Sequence, residues 1–134
     1  MDWLYLIGRI LYGMLFVGSA FGHFMQLKAM SRYAGSKNVP GATVMVLITG
    51  LMLLGGGLSI VLGIYMEIGA WLIFFFLVPV ALVMHNFWAI PDPMAKMVEQ
   101  AMFMKNISLG GAALLLYWTV QTCGYGPMTL GNPM

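Results

Sequence analysis

The sequence predicts an all-α integral membrane protein, in which four transmembrane helices form an up-down bundle. Of its 134 residues, 61% are hydrophobic and only 7% are charged, and the mean hydropathy is +0.90. Soluble domains average about 45–50% apolar and about 25% charged residues, so lipid is the expected solvent. Four long apolar segments each approach the roughly 20 residues needed to cross a bilayer. No strand-like alternation is evident, and a helical bundle satisfies its own backbone polar groups in hydrocarbon.

The four predicted spans lie in a single domain, residues 1–134. The first lacks the basic start of a signal peptide and continues past Arg9, so we expect it to be retained. The second and third are joined by a tight hairpin. In chain order the spans cover residues 3–24, 43–65, 68–87 and 103–120.

Short interfacial helices are expected in two loops. Loop one joins the first and second spans, and loop three joins the third and fourth. In loop one, Leu27 is followed by Lys28 and Arg32 with apolar residues between them, which is typical of a helix lying along a membrane surface. In loop three, Asp92 and Pro93 have the residue types of a helix N-cap and first helical position. A helix is therefore expected to begin at Pro93 and to continue into the fourth span.

The distribution of cations predicts the orientation. Loops one and three and their flanks carry five of the six Lys and Arg residues, namely Lys28, Arg32, Lys37, Lys96 and Lys105. By the positive-inside rule both loops face the cytoplasm and both termini face outward. The net charge is only +2, and the sequence contains no cluster of basic residues. The bilayer is therefore the expected partner, and nucleic acid is not.

Many of the 17 glycines are expected at helix contacts, because small residues let backbones approach where lipid gives no hydrophobic drive. At the outer end of the bundle, Arg9 and Glu67 lie at one level and are expected to form a structural ion pair. The glycines expected at contacts are Gly18, Gly22, Gly55, Gly56, Gly110 and Gly111.

The two histidines end two spans at the same membrane face, the predicted cytoplasmic one. His23 closes the first span and His85 the third, with Asn86 and Trp88 beside His85. Three interpretations remain open: interfacial histidines that bond to backbone or headgroups, a shared functional pocket, and bis-histidine haem ligation. Haem ligation is the least expected of the three, because two histidines alone are a very weak signal for a haem site.

Other chemistry has little support in the sequence. The single cysteine, Cys123, excludes an intrachain disulfide and a cysteine metal site built by one chain. There is no nucleotide-binding glycine loop, HExxH motif or serine-nucleophile elbow, and no metal site is expected. Any reaction would need a cofactor or a partner subunit to supply the reactive centre.

Five stretches, in order, resemble the DoxX-like family: "GRILYGMLFVGSAFGHF", "SKNVPG", "GLMLLGGGLSIVLG", "HNFW" and "MKNISLGGAALLL". The resemblance covers nearly the whole chain and implies a four-helix protein of a bacterial or archaeal inner membrane. The family includes a membrane subunit of thiosulfate:quinone oxidoreductase. The sequence departs from the family pattern at Leu53, where a Glu is common, at His23, where a Lys is common, and near Met66, where an Arg is common. The matching positions are Arg9, Gly13, Phe16, Ser19, Gly22, Pro40, Gly50, Gly56, His85, Phe87, Trp88, Lys105 and Asn106.

The resemblance leads to the hypothesis of a membrane subunit of a respiratory-type, quinone-linked oxidoreductase whose reactive centre lies in partner subunits. His85 and Asn86 would hydrogen-bond a quinone, Phe87 and Trp88 would flank its ring, and His23 would relay protons. Catalysis by this chain alone is not expected; no cofactor is certain, quinone is the candidate of this hypothesis, and haem is not expected. The alternative is a non-catalytic accessory subunit that packs against a larger membrane complex or against its own copies.

Overall fold

The computed structural model describes residues 1–131, and over that range regular structure is entirely helical. This confirms the predicted all-α class. A 3-10 turn, Phe87–Ala89, separates the last two α-helices. The five α-helices are α1 (Asp2–Met25), α2 (Leu27–Ser36), α3 (Ala42–Leu62), α4 (Met66–Met84) and α5 (Pro93–Cys123).

Three helices, α1, α3 and α4, are long and apolar enough to cross a membrane. They coincide with the first three predicted spans. The fourth predicted range, 103–120, falls inside α5, a helix of 31 residues whose first half also carries Lys96, Glu99 and Lys105. Large apolar side chains cover the outside of the bundle, and Leu11 and Leu115 are 73% and 70% exposed. Such a surface is suited to lipid rather than water.

One apolar core joins the four long helices. α1 packs mainly on α3, α3 also contacts α4, and α4 packs mainly on α5. The hydroxyl of Tyr12 closes the ring of helices, because it donates a 2.7 Å hydrogen bond to the Leu109 carbonyl of α5. Leu53, which stands where the family commonly has Glu, is fully buried in this core. The buried core residues are Phe16, Ala20, Leu53, Ile60, Ile73, Leu77 and Ala113.

α1 and α3 cross closely at Gly13 of α1 and Gly57 of α3. A Cβ atom added to Gly57 would lie 2.8 Å from the Gly13 carbonyl oxygen and 2.9 Å from the backbone nitrogen of Val17. Backbone atoms cannot yield as a flexible side chain can, so this crossing requires glycine. Helix spacing in the sequence does not reveal it, because a crossing point depends on two helices.

The six glycines expected at contacts fall into three groups. A Cβ on Gly56 would lie 2.8 Å from Ile73 Cγ1, so this position is tightly packed against α4. Positions 55 and 110 are in ordinary van der Waals range of a neighbouring helix. At the remaining three positions an added Cβ atom would have no neighbouring atom within 4 Å. They are Gly18, Gly22 and Gly111.

The two loops at the His85 end differ from each other. Loop one contains α2, which packs on α3. In loop three, Asp92 caps α5 by accepting a 2.9 Å hydrogen bond from the Ala95 nitrogen, and the helix then runs unbroken to Cys123. The short helix expected in loop three is thus the first part of α5, because Pro93 supplies an unstrained start and nothing interrupts the helix before the fourth predicted span.

Residues 124–131, called the tail segment here, fold back over the opposite end of the bundle. The backbone nitrogen of Leu130 donates to the Leu62 carbonyl at 3.1 Å, and that of Gly131 donates to the Gly63 carbonyl at 2.9 Å. The tail segment is thereby held against the turn between α3 and α4.

Candidate functional site at the loop-three end

A histidine–carboxylate pair joins the end of α4 to the beginning of α5. Nδ1 of His85 lies 2.7 Å from Oε2 of Glu99, and each side chain is 21% exposed. A carboxylate only accepts, so Nδ1–H is the donor, and the neutral ring presents Nε2 as an acceptor. Glu99 reaches the ring because α5 begins at Pro93 and places this residue in its second turn. The pair has the composition of a proton-exchanging group.

Asn86 is oriented by a cation from loop one. Nζ of Lys37 donates a 2.7 Å hydrogen bond to Oδ1 of Asn86, which leaves the Nδ2 amide group as a free donor. Tyr33, on α2, donates a longer 3.4 Å hydrogen bond to the Met84 carbonyl. Burial and the nearby charge of Glu99 raise the pKa of the Tyr33 phenol. The end of α2 therefore belongs to this site.

Three aromatic rings lie beside the polar groups. Phe87 meets Trp88 and Phe103 edge to face, each at 5.3 Å between ring centroids, and Trp88 meets Phe103 at 5.8 Å. Trp88 remains 54% exposed. The arrangement gives the site a rigid apolar wall with one accessible ring.

His23 lies apart from this site. Its side chain is 8% exposed, its Nδ1 lies 2.8 Å from the Ser19 carbonyl oxygen, and its ring packs edge to face on Phe76 at 5.8 Å. Within residues 1–131 no hydrogen bond joins the two histidines. The structure thus gathers His85 and the three residues after it, and it places His23 in the core.

The ion pair expected between Arg9 and Glu67 is replaced by two separate contacts with the tail segment. Arg9 is 3% exposed, donates through Nη2 to the Met128 carbonyl, and lies 5.2 Å above the Tyr5 ring. Glu67 instead accepts a 2.7 Å hydrogen bond from the Tyr125 hydroxyl. The physical reason is that the tail segment supplies a different partner to each group, although Nε and Nη1 of Arg9 are buried without a hydrogen bond among residues 1–131.

Sequence reasoning missed Glu99, Lys37 and Tyr33. A signal for Glu99 exists: it is one of only four acidic residues, and it follows the predicted helix start at Pro93 by less than two turns. Lys37 and Tyr33 have no comparable signal, because their contacts depend on how α2, packed on α3, is placed relative to the end of α4. No group of three His, Cys, Asp or Glu residues among those described is arranged to hold a metal ion.

Apolar helices around one core, with polar side chains gathered at an end, define a helical integral membrane protein. Residues 4–86 match the DoxX family, and the chain belongs to the DoxX family. It is 31% identical to the inner membrane protein YqjF of Escherichia coli strain K12 over 111 aligned residues. The alignment covers 83% of this chain and 79% of that protein. No solved structure gives a significant match. The apolar helices and the inner-membrane relative together support an integral membrane protein.

Proposed function

We propose that this protein is a membrane subunit of a quinone-linked oxidoreductase, with the redox centre in a partner subunit. The observation that carries the proposal is the partly exposed His85–Glu99 pair, 2.7 Å apart, at the end of an otherwise apolar bundle. A quinone site needs an apolar wall with a few polar anchors. The resemblance to a family with a quinone-linked member supports the same assignment.

In this proposal α5 crosses the bilayer as the fourth span, and loops one and three lie in the cytoplasm. The second half of α5 exposes Leu115 and Trp118, which are 70% and 62% accessible and suited to lipid. The cations of loops one and three support the orientation. The His85 site then lies at the cytoplasmic interface, where α2 lies along the membrane surface.

The residues suggest a division of work in quinol oxidation. Nε2 of His85 accepts the proton of a quinol hydroxyl, and the Glu99 carboxylate stabilises the resulting imidazolium. Nδ2 of Asn86 donates a hydrogen bond to a quinone oxygen, while Phe87 and Trp88 flank the ring. Quinol oxidation releases two electrons and two protons. Both electrons pass to the redox centre of the partner subunit, and the partly exposed His85 releases the first proton to water before it accepts the second. His23 has no part in this scheme, because its ring is held in the core by Ser19 and Phe76.

The test compares His85→Gln and Glu99→Gln with Glu67→Gln, which removes an acid at the opposite end. Membranes of the natural host would be assayed for quinol turnover, and native mass spectrometry would report partner subunits and retained quinone. We expect the first two variants to keep the complex and to lose about a hundredfold in turnover, the usual scale of a general base. Normal turnover in His85→Gln would reject the proposal.

Open glycine positions favour a second candidate, a non-catalytic subunit that packs against another membrane protein or a second copy. Gly18 and Gly22 lie one turn apart on α1 and face open space, so another helix could approach closely there. In that case Gly18→Leu with Gly22→Leu would disrupt the complex, and His85→Gln would leave both assembly and turnover unchanged.

A further inference from the structure

A cleft of about 660 Å³ opens between the end of α1, one face of α2 and the beginning of α3. Its volume is within the range of small-ligand sites, about 300–1,000 Å³. It shares no lining residue with the His85 site. The residues that line it are Phe24, Met25, Leu27, Lys28, Ser31, Arg32 and Thr43.

Two cations without partners face the cleft. Lys28 and Arg32 lie one helical turn apart on α2, and both are exposed. Neither forms an ion pair with any described residue, and the lining contains no acid. A cleft with this charge attracts an anion, and two adjacent cations match the charge of a phosphate group.

Ser31, which directly precedes Arg32 on α2, has a buried hydroxyl without a partner among the described residues. The Oγ atom of Ser31 is buried and makes no hydrogen bond within residues 1–131. Other helical hydroxyls in this protein donate to the carbonyl four residues earlier, as Ser19 does to Leu15 and Thr119 does to Leu115, both at 2.8 Å. Since a buried polar group normally finds a partner, the Ser31 hydroxyl is available to a ligand.

The start of α3 adds a third feature that favours an anion. This helix of 21 residues begins at Ala42, and no side chain caps its N-terminus. Thr43, in its first turn, lines the cleft. Free backbone N–H groups and the positive end of the helix dipole both favour a negative group at this position.

The rest of the cleft is apolar and continues onto the outside of the bundle. Phe24, Met25 and Leu27 line its apolar side. Next to them, Phe21 and Val44 are 55% and 59% exposed. A ligand that fits both parts carries a phosphate at one end and hydrocarbon at the other.

We propose that this cleft binds an anionic glycerophospholipid. Lys28 and Arg32 pair with the phosphate, the Ser31 hydroxyl donates to one of its oxygens, and the acyl chains lie along Phe24 and Met25. The position of α2 directly after the first membrane helix places these groups at headgroup depth. The proposal requires only that the bundle lies in a bilayer, and it does not depend on the quinone proposal.

The test is lipid titration of the purified full chain in detergent, followed by native mass spectrometry. Phosphatidylglycerol, phosphatidylcholine and inorganic phosphate would be the probes. The variants are Lys28→Gln with Arg32→Gln, and separately Ser31→Ala. The matched control is Lys96→Gln with Lys105→Gln, which removes the same charge from α5 outside the cleft. Circular dichroism would verify that each variant keeps its helical content.

We expect wild type and the α5 control to prefer phosphatidylglycerol over phosphatidylcholine, and the α2 double variant to bind phosphatidylglycerol about tenfold more weakly or worse. Ser31→Ala should reduce the same affinity by a smaller factor. Three results would each overturn the proposal. They are equal binding of the two lipids by wild type, equal losses in both double variants, and binding of inorganic phosphate as tight as that of the lipid.

Discussion

The Tyr125 hydroxyl donates a 2.7 Å hydrogen bond to Oε2 of Glu67, 58 positions earlier in the chain. This bond ties the tail segment to the beginning of α4. Burial raises the pKa of the Tyr125 phenol, and the hydrogen bond and charge of Glu67 raise it further. The folded protein therefore holds this proton more firmly than the unfolded chain does.

The attachment of the tail segment should depend on pH. A raised folded-state pKa means that the Tyr125 contribution is complete below the ordinary value of 10.0 and is lost as the pH rises through the raised value. A nitroxide at Leu130→Cys in a Cys123→Ser background would report the mobility of the tail segment, since the Leu130 side chain is 74% exposed. We expect immobile spectra at neutral pH and a mobile component in strongly alkaline solution.

The matched variant for this measurement is Tyr125→Phe. It should show a mobile component already at neutral pH, with no further alkaline transition. Tyr33→Phe, at the other end of the bundle, should behave as wild type. An identical alkaline transition in wild type and Tyr125→Phe would show that another group controls the tail segment.

Gly57→Ala should destabilise the protein by about 1–3 kcal/mol, the usual cost of overpacking. The added methyl group would lie 2.8 Å from the Gly13 carbonyl oxygen. The control is Gly18→Ala, where nothing lies within 4 Å and the higher helix propensity of alanine can only help. Unfolding in mixed detergent, followed by circular dichroism, gives both values. Equal losses would mean that α1 and α3 do not cross at Gly13 and Gly57.

Tyr12→Phe should cost about 0.5–1.5 kcal/mol, the net contribution of an ordinary hydrogen bond. Its hydroxyl links α1 to the Leu109 carbonyl of α5 at 2.7 Å. Tyr5 provides a control on the same helix, because its hydroxyl is buried with no partner among residues 1–131. Tyr5→Phe should be neutral or slightly stabilising in the same unfolding measurement. If Tyr5→Phe lowered the free energy of unfolding more than Tyr12→Phe did, the hydrogen bond from Tyr12 could not be what closes the bundle.

Glu99→Gln should change the environment of one histidine and leave the other unaltered. Nδ1 of His85 lies 2.7 Å from the Glu99 carboxylate, whereas Nδ1 of His23 faces the Ser19 carbonyl at 2.8 Å. Nitrogen NMR of the histidine-labelled protein in bilayers should show the shift of one Nδ1 signal. His23→Asn assigns the other signal. Movement of both signals, or of neither, would contradict the separation of the two sites.

The long helices could be predicted from sequence because lipid requires uninterrupted apolar segments with internal backbone bonds. The beginning of α5 was also predictable, since Asp92 and Pro93 are local signals. His85 and Asn86 were found together because they are neighbours in the chain. Glu99 was not found, because its contact depends on the direction in which α5 leaves the turn at Phe87–Ala89.

The tail segment could not be predicted for a different reason. Its sequence has no helical or strand period, and two of its contacts are backbone hydrogen bonds to Leu62 and Gly63, which depend on no particular side-chain chemistry. The Arg9–Glu67 expectation failed because the tail segment supplies a different partner to each group. Both groups find partners at positions, Met128 and Tyr125, whose side chains give no sign of that role.

The contact between Arg9 and Met128 also sets an order of events during synthesis. Arg9 enters the membrane with the first helix to be translated, while its carbonyl acceptor is 119 positions further along the chain. An ionisable group in a membrane helix is costly until it has a partner. Residue 128 must therefore be synthesised before Arg9 can make this contact, and a nascent chain stopped earlier would lack that acceptor. The partner that Arg9 uses in the folded protein is thus among the last parts of residues 1–131 to be made.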